Sequence, residues 1–248
     1  SNCDNGISQI CFGIRFINKC LEIQDYPLVK VAKVYFYSNK YDPHFDYNKE
    51  VLKKLVAKDY TILIQLLAFT HPARISYHDT QHQNFEFIWE LPNYEGIIQS
   101  LFDFFAREER YFSWERAIIG FFPKNINNPE DKPFQFLHKT IQERHHDVSY
   151  IELVFNILCY TYPTFLDEFL KEFLALNSDF EVFTKLELVP RSGVYMGSRV
   201  PQIQKQRESW VKVLSVIETM QNRIDFLEHK DYVLKQISYC DLDIKRET

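Results

Sequence analysis

Glycine is scarce, with six residues in a chain of 248. Sheet sandwiches, barrels and nucleotide-binding α/β folds need glycine for tight turns and for backbone that approaches a phosphate. Its scarcity therefore points to helices joined by polar connections. Cysteine offers no framework either. Cys3, Cys11, Cys20, Cys159 and Cys240 form an odd set without a Cys-x-x-Cys pair, and several fall inside apolar helical patterns. They read as reduced thiols of a cytoplasmic protein. No apolar run reaches the roughly 18–20 residues of a membrane span, and no basic-then-hydrophobic signal segment opens the chain, so no membrane partner is expected. Charge of one sign is lacking too. The net charge is −5, with Lys/Arg interspersed among Asp/Glu, which argues against a nucleic-acid partner. A Gly-x-Ser-x-Gly elbow, a glycine-rich phosphate loop and a dinucleotide fingerprint are all missing, so the sequence points to no cofactor and no enzyme of those classes.

What is present is bulk. Hydrophobic residues make up 46% and aromatics 16%, including 22 Phe and 15 Tyr, far from the composition of a disordered segment and ample for a buried core. The chain starts with Ser-Asn, and residue 7 already enters an apolar helical pattern, which reads as a fragment of a longer protein.

The fold class expected is all-α, an irregular multi-helix bundle or a helical-repeat, α-solenoid-like domain ending in a helical hairpin or one long helix. Ile7, Ile10, Cys11, Ile14, Ile17 and Leu21 recur at three- and four-residue steps, one buried stripe. Pro27 suits the first position of a helix running to about Ser38. Residues 48–70 read as helical, ended by His71-Pro72. Over 73–92, Phe85, Phe87 and Trp89 alternate like a strand but have no partner strand, so the segment reads as a loop with extended or short helical pieces. Helices follow over 94–110 and from an N-cap at Ser113 to Phe122, then over 133–146, 149–161, 164–176 and 179–186. The chain is one helical domain, with a subdivision into 1–122 and 133–248 across a linker at 123–132. In the last stretch Ile203, Trp210, Ile217 and Ile224 fall seven apart, with Val213, Met220, Leu227 and Leu234 as the companion row. Either one helix covers 201–246, or a hairpin turns near Asn222 with Asp225 and Glu228 as capping residues, the favoured reading. The heptads also offer a route to self-association.

Few clusters invite chemistry. His71, His78 and His82 with Asp79 place two imidazoles four apart, as a helical metal site would, but without the glutamate that follows the first histidine in helical metallohydrolases. A metal-dependent enzyme built on them is the alternative to a binding domain. His145-His146-Asp147 reads as helix termination, Cys159 as a core thiol whose burial mutes its nucleophilicity, and Asp241/Asp243 as a solvated face. Lys49, Lys53, Lys54 and Lys58 repeat at helical spacing, also a solvated face. Arg191, Tyr195, Met196 and Arg199, with Lys205 and Arg207 nearby, surround a glycine-bearing loop and carry residue types enriched at protein–protein contacts. They are the candidate partner-binding residues.

The order of Phe165 to Asp179 (FLDEFLKEFLALNSD), Phe183 to Pro190 (FTKLELVP), Gly197 to Pro201 (GSRVP) and Phe226 to Lys230 (FLEHK) resembles the helical carboxy-terminal region of large bacterial STAND/NACHT-like ATPases. The resemblance covers roughly residues 160–240. It implies that an ATPase module precedes this piece, and that the piece itself is a sensor or scaffold whose helices bind a protein, in a bacterial defence response. The function expected is a non-catalytic, helical protein-interaction domain.

Overall fold

A computed structural model describes residues 14–23, 26–41, 46, 49–70, 85–107, 117–126, 128–190, 198–221 and 224–247. Among the described residues every regular element is a helix. The chain divides into two compact units, Ser1–Pro123 and Lys124–Thr248.

In the first unit the elements are α1 (14–22), α2 (Leu28–Tyr41), α3 (Glu50–Lys58), α4 (Thr61–Thr70), a 3₁₀ turn at Glu86–Glu90, α5 (Tyr94–Arg107) and a second 3₁₀ turn at Ala117–Phe121. α4 is almost wholly apolar and packs against α2, α3 and α5, which places it centrally. α2 buries Val31, Ala32, Tyr35 and Phe36, spaced as one helical stripe. Asp46 anchors the start of α3. Its buried carboxylate accepts hydrogen bonds from the Leu52 and Val51 amides at 3.1 and 3.4 Å and from the Tyr35 hydroxyl at 3.1 Å. Burial, with the Asp46 charge beside it, pushes the Tyr35 hydroxyl well above the ordinary tyrosine range.

Two expectations for this unit, the helices over 48–70 and up to Phe122, need correction. Residues 48–70 form two helices. The Asp59 carboxylate accepts from the Thr61 amide at 3.0 Å and the Thr61 hydroxyl at 2.7 Å, so a local cap competes with a continuous helix and wins. The alternating Phe85, Phe87 and Trp89 are all buried at a 3₁₀ turn, one of the short helical pieces expected there. Phe85 stacks on Phe121 with centroids 4.4 Å apart, and the Trp89 indole donates to the Phe121 carbonyl at 2.8 Å. The stretch before Phe122 is a 3₁₀ turn at Ala117–Phe121, and Ser113 lies outside the described residues.

The second unit runs α6 (Lys132–Arg144), α7 (Val148–Thr161), α8 (Leu166–Leu176), the single turn α9 (Phe180–Phe183), α10 (Val200–Thr219) and α11 (Leu227–Glu247). α7 buries ten consecutive residues, Tyr150 to Cys159, so it is enclosed on all sides. α6 and α8 pack on it and on each other, with Phe134 among Tyr162, Phe165 and Phe169. α9 is shorter than the 179–186 helix expected. Asp179 caps it, accepting from the Glu181 amide at 2.9 Å, and the chain leaves the helix after Phe183 to bury Leu186, Leu188 and Val189.

α10 and α11 pack as an antiparallel hairpin of two long helices. Glu218 near the end of α10 meets Lys230 near the start of α11 at 2.7 Å. Arg207 meets Asp241 at 2.6 Å, and Arg199 meets Glu247 at 3.9 Å. The helical phase resets at the turn. α10 buries Ile203, Val213, Val216 and Ile217, whereas α11 buries His229, Val233, Ile237 and Cys240. The heptad rows do not continue through the turn, and Ile224, Leu227 and Leu234 are exposed.

Candidate functional site

The sequence-derived candidates separate. Arg191, Tyr195 and Met196 lie outside the described residues, as do His71, His78, Asp79 and His82. Arg199 precedes α10 and pairs across the open end of the hairpin with Glu247. Arg207 is engaged with Asp241, whose hydrogen bond and charge hold the guanidinium above its ordinary range. Arg199 and Arg207 therefore clamp the hairpin, and Asp241, still half-exposed, is the partner of Arg207.

The lysine series divides: Lys54 and Lys58 stand exposed, as on a solvated face, whereas Lys49 does not. Lys49 is buried, just ahead of α3, in a left-handed backbone conformation with φ 57°. Lys53 pairs with Glu90 at 2.8 Å, Lys54 donates to the Asn18 side chain at 2.8 Å, and Lys58 donates to the Leu21 carbonyl at 2.9 Å. These side chains tie α3 to α1 and to the first 3₁₀ turn.

Cys159, Cys20 and Cys240 are buried, and none of the three forms a disulfide. His145 ends α6 by donating from Nδ1 to the Gln142 carbonyl at 3.1 Å, so the His145-His146-Asp147 run is a helix terminus. Among the described residues no three His, Cys, Asp or Glu side chains gather as a metal site would require, and no described helix is long and apolar enough to cross a membrane.

Two features of the second unit were missed from sequence. The first is His229 on α11. It is 1% exposed, and neither ring nitrogen has a hydrogen-bond partner among the described residues. Phe180, Phe183 and Phe226 surround the ring, with centroids 5.4, 4.7 and 5.2 Å away. Burial lowers its pKa from 6.5 to about 4, opposed only in part by the charge of Asp179. The imidazole is thus held neutral.

The second is an open groove of about 500 Å³ between the end of α8 and the closed end of the hairpin. Leu174, Leu176, Met220 and Phe226 supply apolar wall, and Lys171 and Asp225 supply charge. Around it, apolar side chains stand in water: Ile224 is 83% exposed, Leu227 56% and Leu176 42%. Phe226 is buried and also lines a neighbouring depression with Leu227, Glu218 and Lys230. The groove lies at the other end of the hairpin from Arg199, about 30 Å away for a twenty-residue helix. The sequence signal nearest to it is the hairpin turn read near Asn222, itself outside the described residues, with Asp225 and Glu228 as capping residues.

Elsewhere in this unit His138 Nδ1 meets the Glu172 carboxylate, which also accepts from Gln142 Nε2 at 3.1 Å, while the imidazole stacks on Phe169. The arrangement joins α6 to α8. Compared with known protein families, curated proteins and solved structures, the chain finds no match.

Proposed function

We propose that this chain is a helical protein-binding domain and that the closed end of the α10–α11 hairpin is the surface it presents. The observation that carries the reading is the apolar rim of Ile224, Leu227 and Leu176 held open to water around a groove floored by Phe226. Exposed apolar side chains clustered beside a concavity and edged by charge have the composition of a docking surface. The groove's volume suits one or two anchoring side chains of a partner segment. Three ion pairs along the hairpin hold the two helices in register, so the rim is presented on a stiff support. In the larger bacterial STAND/NACHT-like protein that the resemblance implies, the domain serves as sensor or scaffold, with Arg199 and its sequence neighbours Arg191, Tyr195 and Met196 supplying a second contact.

Selection of a displayed peptide library on the purified chain tests this reading. Enriched peptides are expected to share a bulky apolar anchor and to bind Ile224→Asp/Leu227→Asp at least about tenfold more weakly, a loss of about 1.4 kcal/mol. Both positions are exposed, so helix content measured by circular dichroism should stay unchanged. Peptides that bind the double variant undiminished, or a library with no enrichment, would refute the proposal.

A further inference from the structure

The first unit carries a second surface of different chemistry, independent of the hairpin groove. α2 (LVKVAKVYFYSNKY) has three lysines and no aspartate or glutamate, in a chain whose net charge is −5. α8 and α11, by contrast, carry both signs. One face of α2 is locked into the core by Val31, Ala32, Tyr35 and Phe36. On the other face Val29 is 60% exposed, Tyr37 55% and Val34 38%, with Lys30 and Lys33 exposed between them. Lys30 and Lys33 have no carboxylate on their own helix at three- or four-residue spacing. Neither forms an ion pair among the described residues.

Valine is a poor choice at a solvent-facing helix position, because its branched side chain loses rotamer freedom without gaining packing. Val29, the more exposed of the two valines, therefore contributes little to this chain's own fold. Val29, Lys33 and Tyr37 follow one another at four-residue steps as a ridge about 12 Å long, and Lys30 and Val34 form the adjacent row. Ridges at that spacing accept the corresponding ridge of another helix. A bilayer is a poorer fit, since interfacial helices insert Trp, Phe or Leu as a continuous apolar face with lysines at its margins. Here the lysines sit within the apolar row.

We infer that the outer face of α2, formed by Val29, Lys30, Lys33, Val34 and Tyr37, docks an acidic amphipathic helix of a partner protein. Aliphatic side chains of the partner cover the valines and the tyrosine ring, and its carboxylates meet the two lysines.

Fluorescence anisotropy of the full chain with a labelled helical peptide of about three Leu/Glu heptads, against the same peptide with Lys in place of Glu, tests the inference. The acidic peptide is expected to bind and the basic one not to. Affinity should fall from about 50 to about 300 mM salt and drop roughly tenfold in Lys30→Glu/Lys33→Glu. Ile224→Asp/Leu227→Asp, which alters only the hairpin end, should bind the acidic peptide as the native chain does. Equal binding of both peptides, undiminished binding by the lysine variant, or loss in the hairpin variant would overturn the inference. So would retention on anionic vesicles or single-stranded DNA in place of the acidic peptide.

Discussion

His229 shows what one side chain contributes when its surroundings are decided by distant parts of the chain. In FLEHK it is one polar residue on an apolar stripe, and nothing in that string says that Phe180 and Phe183 close over it. The consequence is measurable as pH dependence. With a folded pKa near 4 against 6.5 when unfolded, the unfolded state binds more protons between those values. The stability of the second unit is therefore complete above about pH 6.5 and declines as pH falls toward 4. The loss is at most about 3.4 kcal/mol, at 1.36 kcal/mol per pKa unit. His229→Phe removes the titrating group and both unpartnered nitrogens from an aromatic box. Urea unfolding across this range should show a flatter profile for the variant; an unchanged slope would assign the pH dependence to other groups.

For the helices themselves, periodicity located the segments and failed at their ends. The sequence reading placed α6, α7 and α8 to within about two residues, because long apolar stripes bounded by Pro and Asn/Asp signal both type and extent. It merged α3 with α4, since Asp59 acts through a two-residue hydrogen bond that a stripe does not register. It also carried the heptad rows past the hairpin turn, where the helical phase is free to restart. The lysines of α3 and the arginines near α10 illustrate a further limit. A cation at helical spacing looks solvated until the facing helix brings Asn18, Glu90 or Asp241 within reach. A double-mutant cycle on Arg207→Ala and Asp241→Ala should return a coupling of about 0.5–1 kcal/mol, as expected for a half-exposed pair. A coupling of zero would leave the register to the other two ion pairs and to the Trp210–Tyr232 contact.

At the scale of the whole molecule, the chain divides between Pro123 and Lys124 into two compact units, each with its own buried core. The second has Phe134, Phe155, Phe169 and Phe173 fully buried within it. A chain restricted to residues 124–248 is therefore expected to keep its helix content and a dispersed amide NMR spectrum, whereas a collapsed spectrum would show that this core cannot stand alone.

Composition and periodicity were enough to establish an all-helical protein with a generous aromatic core, because glycine scarcity and three-to-four spacing are local properties that act on each segment separately. The buried neutral histidine, the clamped cations, the groove at the hairpin's closed end and the lysine–valine face of α2 depend on which helices come to lie beside one another. Burial and pairing are relations between residues dozens of positions apart, and only the packed fold brings those residues within a few ångströms.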